Sequence, residues 1–164
     1  TEPVYAVYNS IVAQSRQPVF YAEMGVPDTV TGRFDMISLH LALLFRRLRH
    51  GPDSAREFSQ AVFDLFFKDM DRSLREMGVS DLGVPKKIQK MGNIFFGLLA
   101  ALSEAIDRSD AEAVAAVLAR NVTDGEDTPQ LRALAAYVMA RDAELASQPV
   151  ETIVSGKLLF EVAA

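Results

Sequence analysis

From residue 33 to residue 50 the chain sets apolar side chains around most of a helical axis. Phe34, Met36, Ile37, Leu39, Leu41, Leu43, Leu44, Phe45 and Leu48 leave one polar strip, at Asp35, Ser38, Arg46 and Arg49. A helix apolar on nearly all sides belongs inside a structure, wrapped by other elements. The flanking segments can supply the wrapping. They carry apolar residues at helical spacing, and glycine and proline fall almost entirely between them. The expected fold is all-α: a single domain over residues 1–164, with about six to seven helices bundled around the central helix 33–50.

Tyr5, Tyr8, Ile11 and Val12 predict a first helix to about residue 14, and residues 18–24 a short second one, with a loop over 25–32. After Gly51 and Pro52 a fourth helix is expected over 53–77. At about 100° per residue, Phe58, Val62, Phe63, Phe66, Phe67, Met70, Leu74 and Met77 share its core face. Gly78 stops it, because glycine takes the left-handed conformation that ends helices. A fifth helix over 84–107 turns Ile88, Met91, Phe95, Leu98, Leu99, Leu102 and Ile106 inward. Ser109 and Glu112 have capping-box spacing for a helix through residue 121, and Thr128 followed by Pro129 opens another that ends near residue 147. The tail has short apolar runs at 152–154 and 158–162, expected to dock as a segment or a terminal turn.

Residues 66–97 hold a dense and varied set of charges. Asp64, Lys68, Asp71 and Arg75 lie opposite the apolar face, and the pairs Asp71/Arg75 and Arg72/Glu76 at i,i+4 neutralise part of it. Lys86, Lys87 and Lys90 then fall in the first turns of the next helix, where the dipole disfavours cations by up to about 1 kcal/mol each. Compensation is expected from Asp69, Asp71, Glu76 and Asp81 folding back beside the lysines; the alternative is an external anionic partner.

The chemistry available is narrow. Cysteine is absent and only His40 and His50 supply imidazole, which removes thiolate nucleophiles and zinc–cysteine sites and suits a reducing compartment. His40, among Met36, Leu43 and Leu44, reads as a buried structural histidine. Arg46, Arg47, Arg49 and His50 read as cations complementing the end of their helix. No phosphate-binding glycine loop, serine elbow, paired zinc ligands or cofactor lysine motif is present, so the expectation is a protein that is not an enzyme and carries no cofactor. A net charge of -5 argues against direct DNA binding. The apolar runs 41–45 and 94–102 fall well short of the ~18 residues of a transmembrane segment.

The segments QPVFYAEMGVPDTVTGRFDMISLHLALLFRRL (17–48) and FDLFFKDMDRSLREMGVSDLGVPKKIQKM (63–91) resemble the ubiquinol-cytochrome c chaperone family. The marks are Pro18, Tyr21, residues 25–28 and 32–35 in the first, and Asp69, Asp71, residues 74–78, Asp81 and Lys87 in the second. The resemblance covers nearly the whole chain and implies an all-helical assembly chaperone for the cytochrome bc1 complex, respiratory complex III. It implies cytochrome b or another membrane-protein client, with a small partner assembly factor and the ribosome as further partners. The long amino-terminal extension and targeting presequence of mitochondrial relatives are not in this sequence, so the free-standing bacterial form is expected. Such a protein would be cytoplasmic, or peripheral at the inner face of the cytoplasmic membrane.

Packing explains some polar residues least, and these are the expected protein contacts: Tyr21, Asp28, Arg33 and Asp35 near the 25–35 loop, and Asp71, Arg72, Arg75 and Lys87 in the 69–90 hairpin. Ten phenylalanines and six methionines in so small a chain support a second reading, a helical module with an apolar pocket for a lipid or quinone.

Overall fold

The apolar periodicity resolves into helices alone among the described residues, 2–123, 125–158 and 160, of a computed structural model. In chain order they are α1 (Glu2–Ser15), α2 (Val19–Ala22), α3 (Val30–Leu48), α4 (Asp53–Glu76), α5 (Gly83–Asp107), α6 (Ala111–Asn121), α7 (Pro129–Ala146) and α8 (Val150–Val154). Six are long and two, α2 and α8, are short.

Helix α3 is central as its composition requires, packed against α1, α4, α5 and α7. Met36, Leu39, Leu41, Leu43, Leu44 and Leu48 are fully buried on it, each contributing about 1.5–3 kcal/mol relative to exposure. It starts three residues before the expected boundary. Thr29 is its N-cap, accepting a hydrogen bond from the Gly32 amide at 3.0 Å, so Val30 and Thr31 belong to the helix and not to the loop. Phenylalanines join α3 to α4 and α5. Ring centroids lie 5.3 Å apart for Phe45 and Phe95 and 4.5 Å for Phe63 and Phe95, and Phe67 meets Phe63 edge-on at 4.4 Å.

Three local expectations are corrected. Met77 is 60% exposed, because α4 ends at Glu76 and the helical angle no longer applies one residue later. Ser109 is not the cap of α6: its backbone is left-handed, φ 51°, and Asp110 accepts the Ala113 amide at 3.0 Å instead. Arg47 serves a neighbour, donating to the carbonyls of Leu145 and Gln148 at 2.8 and 2.9 Å at the carboxyl end of α7. The tail docks as expected. Ile153 and Leu158 are buried and the Phe160 ring centroid stands 5.4 Å from that of His40. Residues 159, 161 and 162 of the tail lie outside the described residues.

Candidate functional site

The chain breaks between α1 and α3 gather polar side chains at one end of the bundle. Phe20 is fully buried and anchors α2, and the Val26 amide returns to the Phe20 carbonyl at 3.1 Å. Tyr21 is thereby held at the surface, donating its hydroxyl to the Ser15 carbonyl at 2.8 Å. Burial pushes that hydroxyl's pKa up, Asp28 and Asp35 add to the rise, and Arg33 and Arg16 oppose it, so Tyr21 stays a donor. Asp28 accepts the Arg33 guanidinium at 3.0 Å across the first turn of α3, with both side chains exposed.

Three cavities run side by side there. One of about 490 Å3 is lined by Arg16, Tyr21, Asp28 and Arg33. A second, about 240 Å3, reaches from Arg16, Tyr21 and Arg33 over Phe34 and Ile37 to Asp69 and Arg72. A third of about 440 Å3 continues past Tyr8, Lys68, Asp69 and Arg72. Arg16 borders all three. Asp69 accepts both the Tyr8 hydroxyl and the Arg72 guanidinium, and burial with this carboxylate keeps Tyr8 protonated. Four cations (Arg16, Arg33, Lys68, Arg72) thus face two carboxylates (Asp28, Asp69), and among the described residues Arg16 and Lys68 have no ion-pair partner. The groove is net cationic with an apolar floor, suited to a macromolecular segment carrying acidic and apolar side chains.

Of the expected contact residues, Tyr21, Asp28, Arg33 and Arg72 border this groove, and half-buried Asp35 acts on it electrostatically. Asp71 and Arg75 lie elsewhere, 2.8 Å apart near the carboxyl end of α4, where Arg75 also holds Asp81. Lys87 is exposed on α5. Arg16, Tyr8 and Lys68 were missing from the expectation. Arg16 directly follows the last residue of α1, so from the sequence it reads as one more cation complementing a helix end, and its place beside the Gln17–Pro18 break is the only further signal it offered. The expected neutralisation of the lysines by the acidic run is also corrected. Asp69 serves Arg72 and Tyr8, and Asp71 and Asp81 serve Arg75, since one guanidinium accommodates two carboxylates. Lys86, Lys87 and Lys90 have no ion-pair partner among the described residues.

A separate groove of about 750 Å3 opens between α3, α4 and α5, with Phe45, Phe96 and Leu99 inside and Arg49, Arg56 and Asp107 at its edge. Hydrogen bonding to Arg46, then Arg49, holds the Asp107 carboxyl below the usual carboxylate range. His40 is a structural residue. It is fully buried, with Nδ1 2.8 Å from the Met36 carbonyl and Nε2 2.7 Å from the Tyr137 hydroxyl. Among the described residues no cluster of histidine and carboxylate side chains is placed to hold a metal ion, and no helix is long and apolar enough to cross a membrane.

The sequence pattern of the ubiquinol-cytochrome C chaperones matches residues 22–160. The chain belongs to that family. It is similar to ubiquinol-cytochrome-c reductase complex assembly factor 1 of Xenopus laevis, 22% identical over 134 residues that make up 80% of this chain and 66%, slightly under two thirds, of the frog protein. It also superposes on the crystal structure of the Cbp3 homolog from Brucella abortus with a TM-score of 0.90 and 38% identity, over 98% of this chain and 90% of that one. The match to the ubiquinol-cytochrome C chaperone pattern takes in Asp28, Arg33, Lys68, Asp69 and Arg72 of the groove, while Arg16 and Tyr21 precede it.

Proposed function

We propose that this ubiquinol-cytochrome C chaperone acts in the assembly of respiratory complex III by binding newly made cytochrome b, or another membrane-protein client, in the cationic groove around Arg16. The observation that carries the reading is the gathering of Tyr21, Asp28, Arg33 and Arg72 around three adjoining cavities, all bordered by Arg16, which has no ion-pair partner among the described residues. Holding a client needs contact area and charge complementarity, not a nucleophile, so the protein works by binding and performs no reaction. Membership of the family and the similarity to the frog assembly factor support the assembly role. The proposed place of action is the cytoplasm, peripheral at the inner face of the cytoplasmic membrane.

Affinity purification of the tagged chain from its host tests client and site together. Cytochrome b is expected in the eluate, and Arg16→Glu/Arg33→Glu/Arg72→Glu is expected to lower its recovery about tenfold or more. Undiminished recovery with the variant overturns the site, and unchanged cytochrome b levels after gene deletion overturn the function. A small partner assembly factor and the ribosome would appear in the same eluate. The groove between α3, α4 and α5 gives the lipid or quinone reading its own observation, since about 750 Å3 falls within the range of ligand sites. Failure of a soluble quinone analogue or short-chain lipid to shift the thermal unfolding of the pure protein would remove it.

A further inference from the structure

Between α4 and α5 the fold projects the two most exposed large apolar side chains among the described residues, Met77 at 60% and Leu82 at 87%. The turn is held from below. Leu74 and Val84 are buried at its base, Gly78 reverses the chain at φ 88°, and the Val84 amide bonds to the Ser80 carbonyl at 3.0 Å. A hydrogen-bonded turn therefore presents two large apolar side chains, close together in the chain, mostly to solvent, the kind of projecting apolar surface that marks an interaction site when it is grouped.

The charge beside them points to the cover. Lys86, Lys87 and Lys90 are exposed and unpaired among the described residues, and Lys86 and Lys87 lie close to the start of α5, where its dipole disfavours cations. Half-exposed Ile94 follows at i+7 from Lys87 and i+4 from Lys90, on the same side of the helix. Over residues 75–90 four cations (Arg75 and the three lysines) stand against Glu76 and Asp81, a net of two positive charges in a chain of net -5. Both carboxylates nearest Arg75 are already bound to it. None of the grooves described above includes a residue from 74 to 95. A bilayer requires only projecting apolar side chains next to cations, two weak signals that together give reversible anchoring.

We propose that the α4–α5 tip docks on an anionic lipid surface, with Met77 and Leu82 entering the headgroup region and Lys86, Lys87 and Lys90 against the phosphates. This deepens the peripheral location proposed above and rests on it, while leaving the client groove as a separate matter.

Co-sedimentation of the purified full chain with vesicles tests it. Binding is expected to phosphatidylcholine vesicles containing about one-third phosphatidylglycerol, not to phosphatidylcholine alone, and to weaken with added salt. Lys86→Glu/Lys87→Glu/Lys90→Glu is expected to lower the partition about a hundredfold or more. Met77→Ser/Leu82→Ser, which leaves the charge unchanged, is expected to lower it about tenfold. Arg120→Glu/Lys157→Glu, at exposed positions away from the tip, should change it by about twofold at most. No vesicle binding, equal binding to neutral vesicles, or equal loss in the Arg120/Lys157 variant overturns the proposal. So does a lysine variant that binds vesicles like the parent but no longer recovers cytochrome b, which would make the tip a protein contact. Vesicles contain no client, so failure here with cytochrome b recovery intact removes the tip alone.

Discussion

Gly32 lies against the carbonyl of Pro27 so closely that a Cβ at position 32 would stand 1.9 Å from the Pro27 oxygen. The obstacle is backbone, which cannot step aside, and the same close approach lets Thr29 cap α3 and sets Asp28 beside Arg33. Gly32→Ala is therefore expected to destabilise the protein by about 2–4 kcal/mol in urea unfolding and to weaken client recovery. Gly97, in α5 with open space where its Cβ would be, is the internal control: Gly97→Ala should stabilise by about 0.5–1 kcal/mol. A Gly32→Ala protein as stable as the parent would refute the account of this turn.

The helices were legible because the 3.6-residue period is a local property, and α3 was legible as the centre because its apolar side chains leave only one narrow polar strip. Boundaries set by a single side chain were less so. Thr29 starts α3 earlier than Gly32 suggests, and Asp110 displaces Ser109, because the choice between neighbouring caps depends on which residue turns extended. Pairing among charges was the least legible. The sequence shows Asp69, Asp71 and Asp81 near both lysines and arginines, and only the helix positions decide that the arginines take them. The groove was half visible for the same reason: Arg16, Tyr21, Asp28 and Arg33 fall in one stretch of chain, whereas Lys68, Asp69 and Arg72 meet them only once α4 has packed against α1 and α3.

The two candidate caps of α6 are separable by experiment. Asp110 carries the hydrogen bond to the Ala113 amide and also places its carboxylate at the positive end of the helix. Asp110→Ala should cost about 1 kcal/mol, and Ser109→Ala less than about 0.5 kcal/mol. Chemical denaturation of the two variants checks this, and the reverse ranking would restore the capping box at Ser109.

Arg46 ties three helices together, holding Asp107 of α5 at 2.7 Å and Asp142 of α7 at 2.9 Å from α3. It is only 14% exposed, so its removal strands a partly buried carboxylate. Arg46→Ala is expected to lower stability by about 2–4 kcal/mol. Adding Asp142→Asn should restore part of that loss, since the stranded charge is then gone. Thermal unfolding of the single and double variants reads this directly; a double variant less stable than Arg46→Ala alone would show that Asp142 is held by something other than Arg46.

The last expectation concerns acid. Burial pushes the His40 imidazole down to about 4 from an ordinary value near ~6.5. Its neutral form is fixed by bonds that need no added proton: Nδ1–H donates to the Met36 carbonyl, and Nε2 accepts from the Tyr137 hydroxyl, which burial pushes up to about 12. Between pH 6.5 and pH 4 the unfolded chain takes a proton on this residue that the folded chain refuses. The stability that His40 contributes is therefore fully present above about pH 6.5 and is lost as pH falls toward 4. Carboxylates such as Asp107 lose stability in acid too, so the informative quantity is the difference from a variant without the imidazole. His40→Gln should be less stable than the parent at pH 7.5 by about 1–3 kcal/mol, and the gap should close or reverse by about 2–3 kcal/mol at pH 4.5. Urea unfolding at the two pH values measures it. An equal gap at both would mean that the buried imidazole titrates like a solvated one.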